Sequence, residues 1–133
     1  MIPDFDEQGY LPAGIHQATL KEVAARFGTE SELRQVQMQS LRWLVELARA
    51  AGIQRFIING SFTTDAVEPN DVDCVLLIAP DFSPDSVAES EIRQGIPFLD
   101  VRLVESPDFA FYVETFYATD RFFASKGMVE VVL

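Results

Sequence analysis

The chain has 133 residues, 48% hydrophobic and 23% charged, enough for one domain with a real core and too few for two ordinary ones. Its 21 acidic and 10 basic residues leave a net charge of −11, which excludes non-specific binding to nucleic-acid backbones and suits divalent cations or a protein partner with a basic face. The single cysteine, Cys74, rules out an internal disulfide framework, and neither a basic-then-apolar leader nor an apolar run of ~18 residues is seen, so the expectation is a cytoplasmic protein with no membrane association.

Residues 1–18 read as an extended, turn-rich arm, punctuated by Pro3, Gly9, Pro12 and Gly14 and anchored by Phe5, Tyr10, Leu11 and Ile15. Thr19 and Glu22 have capping-box spacing and open a short helix with Leu20, Val23, Ala24 and Phe27 on one face, ended by Gly28. Thr29 and Glu32 repeat that spacing before a long helix. Its Leu33, Val36, Leu41, Leu44, Val45 and Ala48 recur at helical intervals, and Gly52 is placed to stop it. Then the period changes. Residues 55–59 and 73–79 are continuous apolar runs of strand length, the pattern of strands covered on both faces. The segment between them, 60–70, holds a turn and at most two helical turns. Pro80, Ser83 and Pro84 lead to a polar helix near 85–94, closed by Gly95, and 98–104 is a third strand. Ser106 and Pro107 read as N-cap and first-turn residues of an aromatic helix carrying Phe109, Tyr112, Val113, Phe116 and Tyr117. A last strand occupies 128–133. With no repeat, low-complexity segment or linker, the alternation predicts one α/β domain, a small mixed β-sheet flanked by helices.

Chemistry concentrates around "NGSFTTDAVEPNDVDCVLLIA", residues 59–79. Alternation along a strand sends Asp71 and Asp73 to one side and Val72 to the core. Two carboxylates on one face repel unless a cation lies between them, and magnesium, which prefers oxygen ligands, waters and phosphates, is the natural choice. Asp100 is an isolated acid in the next strand, where an unpaired carboxylate is costly to bury. If that strand lies beside 73–79, three carboxylates converge and can hold two metals ~4 Å apart for in-line phosphoryl or nucleotidyl transfer. Gly60 and Ser61 follow a buried strand, so backbone N–H groups and the Ser61 hydroxyl offer an anion site that a side chain at Gly60 would block. Each feature also has an ordinary reading: a turn, an acidic loop, an edge residue facing water. Their order on successive strands and loops is what points to a metal site.

Gly60-Ser61, Asp71-x-Asp73 and Asp100 together resemble the nucleotidyltransferase (polymerase beta-like) fold in its minimal, single-domain form, over roughly residues 40–105. More narrowly, the opening FDEQGYLPAGIH, the centre GSF…EPNDVD and the tail TDR…KGMVEV resemble a bacterial family of small nucleotidyltransferase-like proteins. The resemblance implies transfer of a nucleoside monophosphate from a nucleoside triphosphate to a protein or RNA hydroxyl with two magnesium ions. By that likeness Asp71 and Asp73 bind both metals, and Asp100 binds one and assists deprotonation of the acceptor. Gly60 and Ser61 then hold the terminal phosphates. It also implies an antitoxin role beside a toxin-like protein with a basic surface. The alternative is a non-catalytic binding module of the same fold, acting as antitoxin or regulatory subunit through its acidic surface. One departure stands out: where such proteins often carry Arg-Gly a few residues after Gly-Ser, this chain has Thr63, Thr64 and Asp65, and Ala66 stands where relatives often have Lys.

Other residues have plainer readings. His16 has no companion for a zinc site and fits a hydrogen bond to a turn. Cys74 belongs to the core, Trp43 to the core or an interface, and the Phe109–Tyr117 stripe to packing. Arg121 and Lys126 are sparse basic residues, solvated unless they fold back over the carboxylates.

Overall fold

The helical layer starts where side chains can cap it. In the computed structural model, which describes residues 2–82, 86–120 and 122–133, Thr19 Oγ1 accepts from the Glu22 N–H and Glu22 Oε1 accepts from the Thr19 N–H, both at 3.1 Å. This reciprocal pair opens α1 (Leu20–Phe27). The long helix α2 (Glu32–Ala51) is capped by Ser31, whose Oγ accepts from the Arg34 N–H at 3.1 Å. Thr29, with equally good spacing, lies two residues too early to reach that N–H. Gly52 ends α2 in the left-handed region at φ 77. The buried stripe of α2 runs through Arg34, Gln37, Met38, Leu41, Leu44, Val45 and Ala48, so two polar residues hold core positions while Val36, expected there, is exposed.

Five strands form one sheet in the order β1-β5-β2-β3-β4: β1 (Ile15–Ala18), β2 (Arg55–Asn59), β3 (Val72–Leu77), β4 (Leu99–Val104) and β5 (Met128–Val131). The central pairs β5/β2 and β2/β3 are antiparallel, and the outer pairs β1/β5 and β3/β4 are parallel. The sheet is therefore mixed, as expected. The last residues of the expected extended arm, 15–18, form an edge strand of the sheet. The Gly127 N–H donates to Leu11 O at 2.9 Å and the Met128 N–H to Gly14 O at 3.0 Å, which fixes that edge.

Alternation divides the sheet into two apolar faces. Phe56, Ile58, Cys74, Leu76 and Val129 pack against Phe27 and the stripe of α2, with Ile92 from α3 (Val87–Gln94) beside them. Ile57, Val75, Leu77 and Met128 pack against Phe109, Val113 and Tyr117 on the other side. Phe109 comes from α4 (Ser106–Phe111), Val113 from the π-helical turn Tyr112–Phe116 that continues it, and Tyr117 caps that turn. Ser106 lies inside α4; its cap position is Glu105, with no side-chain cap bond. Ser86 caps α3 through the Glu89 N–H at 3.0 Å, and the buried Glu89 pairs with Arg93 one turn on. The expected lead through Ser83 and Pro84 lies outside the described residues. No helix among the described residues is long and apolar enough to cross a membrane.

Candidate functional site

The register places the acids. Asn59 on β2 pairs with Asp73 on β3, and Asp73 with Asp100 on β4. Paired residues on neighbouring strands share a face about 4.8 Å apart, so Asn59, Asp73 and Asp100 form one row across the sheet. Val72 turns to the core, as alternation requires. Asp71 precedes β3 in a bend, is exposed, and borders the row from the rim. Asp73 and Asp100 are thus brought together, and Asp71 stands beside them without closing the set. Among the described residues no three His, Cys, Asp or Glu side chains are arranged to hold a metal ion.

Asp73 carries the electrostatic tension of the row. It is half-buried, and among the described residues its carboxylate accepts no hydrogen bond. Burial, then the charge of Asp100, pushes it up to about 6; Asp71 adds least, and Lys126 and Arg102 pull the other way. Gly60 makes room for this carboxylate. Its backbone lies at φ 84, ψ −162, a region open essentially to glycine alone, and a Cβ there would overlap Asp73 Oδ2.

The loop after Gly60 is built from inside. Ser61–Thr63 make one 3-10 turn, and the Asn70 N–H donates to Ser61 Oγ at 2.7 Å, closing the loop at its base. The buried Arg34 guanidinium donates to Phe27 O, Phe62 O, Thr64 O and Ala66 O at 2.7 to 3.0 Å. Three of those four carbonyls belong to the loop. One turn further along α2, Gln37 Nε2 donates to Asn70 O at 2.9 Å, while its buried Oε1 has no partner among the described residues. Neither Arg34 nor Gln37 was singled out from sequence. The signal was there: the period set by Leu41, Leu44, Val45 and Ala48, run back by one and two turns, lands on Gln37, Met38 and Arg34.

Above the acid row lies an open cleft of about 880 Å³, lined by Asp71, Asp73, Asp100, Gln37, Asn70 and Phe98. Two cations bear on the acid row itself. Arg102, two residues beyond Asp100 and on the same side, lies 3.9 Å from Asp100 Oδ2, donates to Tyr112 Oη at 3.2 Å and has its Cζ 5.3 Å from that ring's centroid. Lys126 is half-buried, and its charge acts on Asp73 and Asp120. Its loop is held by Asp120, which accepts from the Phe122 and Ala124 N–H groups through Oδ1 and from the Tyr10 hydroxyl through Oδ2 at 2.8 Å. Arg121, the other basic residue considered there, lies outside the described residues.

The remaining candidates fall into place simply. His16 Nε2 lies 2.7 Å from Pro12 O, a turn contact as expected. Cys74 is buried in the core. Trp43 is 49% exposed and so is not a core residue. Of the aromatic stripe, Phe109 and Tyr117 pack inward while Phe111 and Phe116 face solvent.

Fold and site define a small mixed α/β domain with an acid-floored cleft at the N-terminal ends of two parallel strands. The chain belongs to a family of unknown function, DUF6932, whose family model matches residues 3–132. No curated protein and no solved structure matches it.

Proposed function

We propose that this protein has the minimal nucleotidyltransferase fold and transfers a nucleoside monophosphate from a nucleoside triphosphate to a protein or RNA hydroxyl. The observation that carries the reading is the in-register pairing of Asp73 with Asp100, with Gly60 shaped around the Asp73 carboxylate. A half-buried carboxylate beside a second one, with no donor of its own, has an unmet demand for positive charge. Magnesium commonly uses one or two carboxylates and keeps its waters, so Asp73 and Asp100, with Asp71 at the rim, fit it. The unpartnered Gln37 Oε1 on the cleft wall suits a donor from such a water shell.

Bound there, the metal would neutralise charge developing on the transferred phosphoryl group. The chain's own residues do the rest. Asp100, the more exposed carboxylate, faces an incoming acceptor and takes its proton. Oxygen of the acceptor bonds to the α-phosphorus as the bond to the β-phosphate oxygen breaks, and pyrophosphate leaves. Gly60 keeps the backbone close to Asp73, and Asn59, fixed by its Nδ2 bond to Tyr117 O at 3.2 Å, backs the row.

Incubation with labelled ATP, GTP, CTP or UTP, magnesium and cell extract tests this. Wild type should label an acceptor that Asp73→Asn and Asp100→Asn do not; labelling equal in wild type and Asp73→Asn would sink the enzymatic reading. A second reading is favoured by two observations: among the described residues no three-ligand metal group is preformed, and the Ser61 oxygen already accepts from the Asn70 N–H that closes the loop. It holds the fold to be a non-catalytic antitoxin or regulatory module that binds a basic, toxin-like protein. Capture of such a protein equally by wild type, Asp71→Ala and Asp73→Ala supports it; loss of capture in those variants counts against it.

A further inference from the structure

The loop that cradles phosphate in the proposed reading has no cation to offer. Phe62 to Ala66 contain no basic residue, and Arg34, the cation packed beneath them, spends its guanidinium on their carbonyls. A polyphosphate carrying several negative charges over an acidic floor needs positive charge from elsewhere. From the structure we infer that Arg102 and Lys126, approaching the acid row from its two ends, are the residues that take the polyphosphate of a metal-bound ligand. This inference rests on the proposed nucleotide site and names its phosphate ligands.

Arg102 stands on β4, at one end of the row. Its guanidinium is already oriented by Tyr112, through the hydroxyl and the ring face, which lowers the entropy lost when a phosphate binds. Its present ion pair with Asp100 is long, at 3.9 Å, and exposed on both sides. Such a pair is worth little and yields readily to a bidentate phosphate. Lys126 approaches from β5, at the other end. Asn59 Nδ2 donates to Tyr117 O at 3.2 Å and the next residue, Ala118, accepts from the Lys126 N–H, which ties the Lys126 backbone to the Asn59 end of the row. The Lys126 N–H donates to Ala118 O at 3.0 Å and the Gly127 N–H to Leu11 O at 2.9 Å, so the residue's backbone is fixed on both sides. Three strand spacings separate β5 from β4, about 14 Å in all. The acid row then takes the metal, and the flanking cations take the phosphate oxygens.

Calorimetric titration with inorganic tripolyphosphate, ATP and adenosine, each with and without magnesium, tests the assignment. Wild type should bind tripolyphosphate and ATP when magnesium is present. Arg102→Ala and Lys126→Met should each weaken both by about tenfold or more, with Arg102→Lys in between. Binding of magnesium alone should be retained in all three variants, which separates a phosphate role from a metal role or a folding defect. If wild type binds tripolyphosphate and the variants bind it equally well, this inference is overturned and the nucleotide reading stands. If wild type binds neither ATP nor tripolyphosphate with magnesium, the nucleotide reading falls, and this inference falls with it.

Discussion

Asp73→Asn should make the protein more stable at neutral pH, because it removes a charge that the fold holds at a cost. The Asp73 carboxyl is raised from 3.8 to about 6 by burial first and by Asp100 second. A raised folded value means that the native state binds the proton more tightly than the unfolded chain does. Stability from this group is therefore greatest below pH 4, declines between pH 4 and 6, and stays low above that. A tenfold change in proton affinity corresponds to ~1.4 kcal/mol, so the uncorrected penalty is about 3 kcal/mol; solvent at this partly open site reduces it to about 1–2 kcal/mol. Urea unfolding of wild type and variant at five pH values from 4 to 8 measures it. Far-UV circular dichroism is the better probe, since Trp43 is 49% exposed and would change little on unfolding. The difference between the two proteins should be about 1–2 kcal/mol in favour of the variant at pH 8 and should vanish near pH 4. Magnesium added at pH 8 should stabilise wild type and shrink that difference. A variant less stable than wild type by the same amount at every pH would refute the reasoning.

Three further outcomes follow from the same geometry. Gly60→Ala combines a glycine-only backbone with overlap on Asp73 Oδ2 and should cost about 2–4 kcal/mol in urea unfolding; Asp73→Ala in the same chain should restore ~1 kcal/mol, and additive costs would contradict the overlap. Arg34→Ala strips a buried donor from four carbonyls and should cost about 3–5 kcal/mol. Hydrogen exchange should accelerate first in residues 61–70, and uniform acceleration across the sheet would count against a loop-specific role. Tyr10→Phe removes the donor to Asp120 Oδ2 and should cost about 1 kcal/mol, seen as faster exchange in residues 118–127; unchanged exchange there would show that the arm does not hold the Lys126 loop.

Much of this molecule is legible in its sequence, and what is not has identifiable reasons. The apolar runs announced β2 and β3, while the lone Asp100 marked a strand whose place beside β3, and whose register with Asp73, only the structure supplies. The Thr19–Glu22 box worked because both partners act within one turn. Ser31 and Thr29 compete for one helix start, and spacing alone does not decide between two good caps. Arg34 and Gln37 were passed over because an apolar count skips polar residues, even at core positions of the helical period. The edge strand β1 and the approach of Lys126 to Asp73 depend on residues at opposite ends of the chain, where no local pattern operates. The candidate site was legible as a set of acids and a glycine turn; of the two cations beside it, the sequence offered Lys126 only as a residue that could fold back over the carboxylates, and did not mark Arg102.

The strand order has a consequence for how the protein forms. β5 lies between β1 and β2, so β1 has no partner until residues 128–131 have been made and have inserted beside it. A growing chain with α1, α2, β2 and β3 in place still shows an open edge on β2, a surface that invites pairing with another chain. Ordering the N-terminal segment and the Lys126 loop thus becomes one late, long-range event, of the kind that slows folding. Chaperone dependence during synthesis, and aggregation of chains cut before Met128, are where this arrangement should be felt.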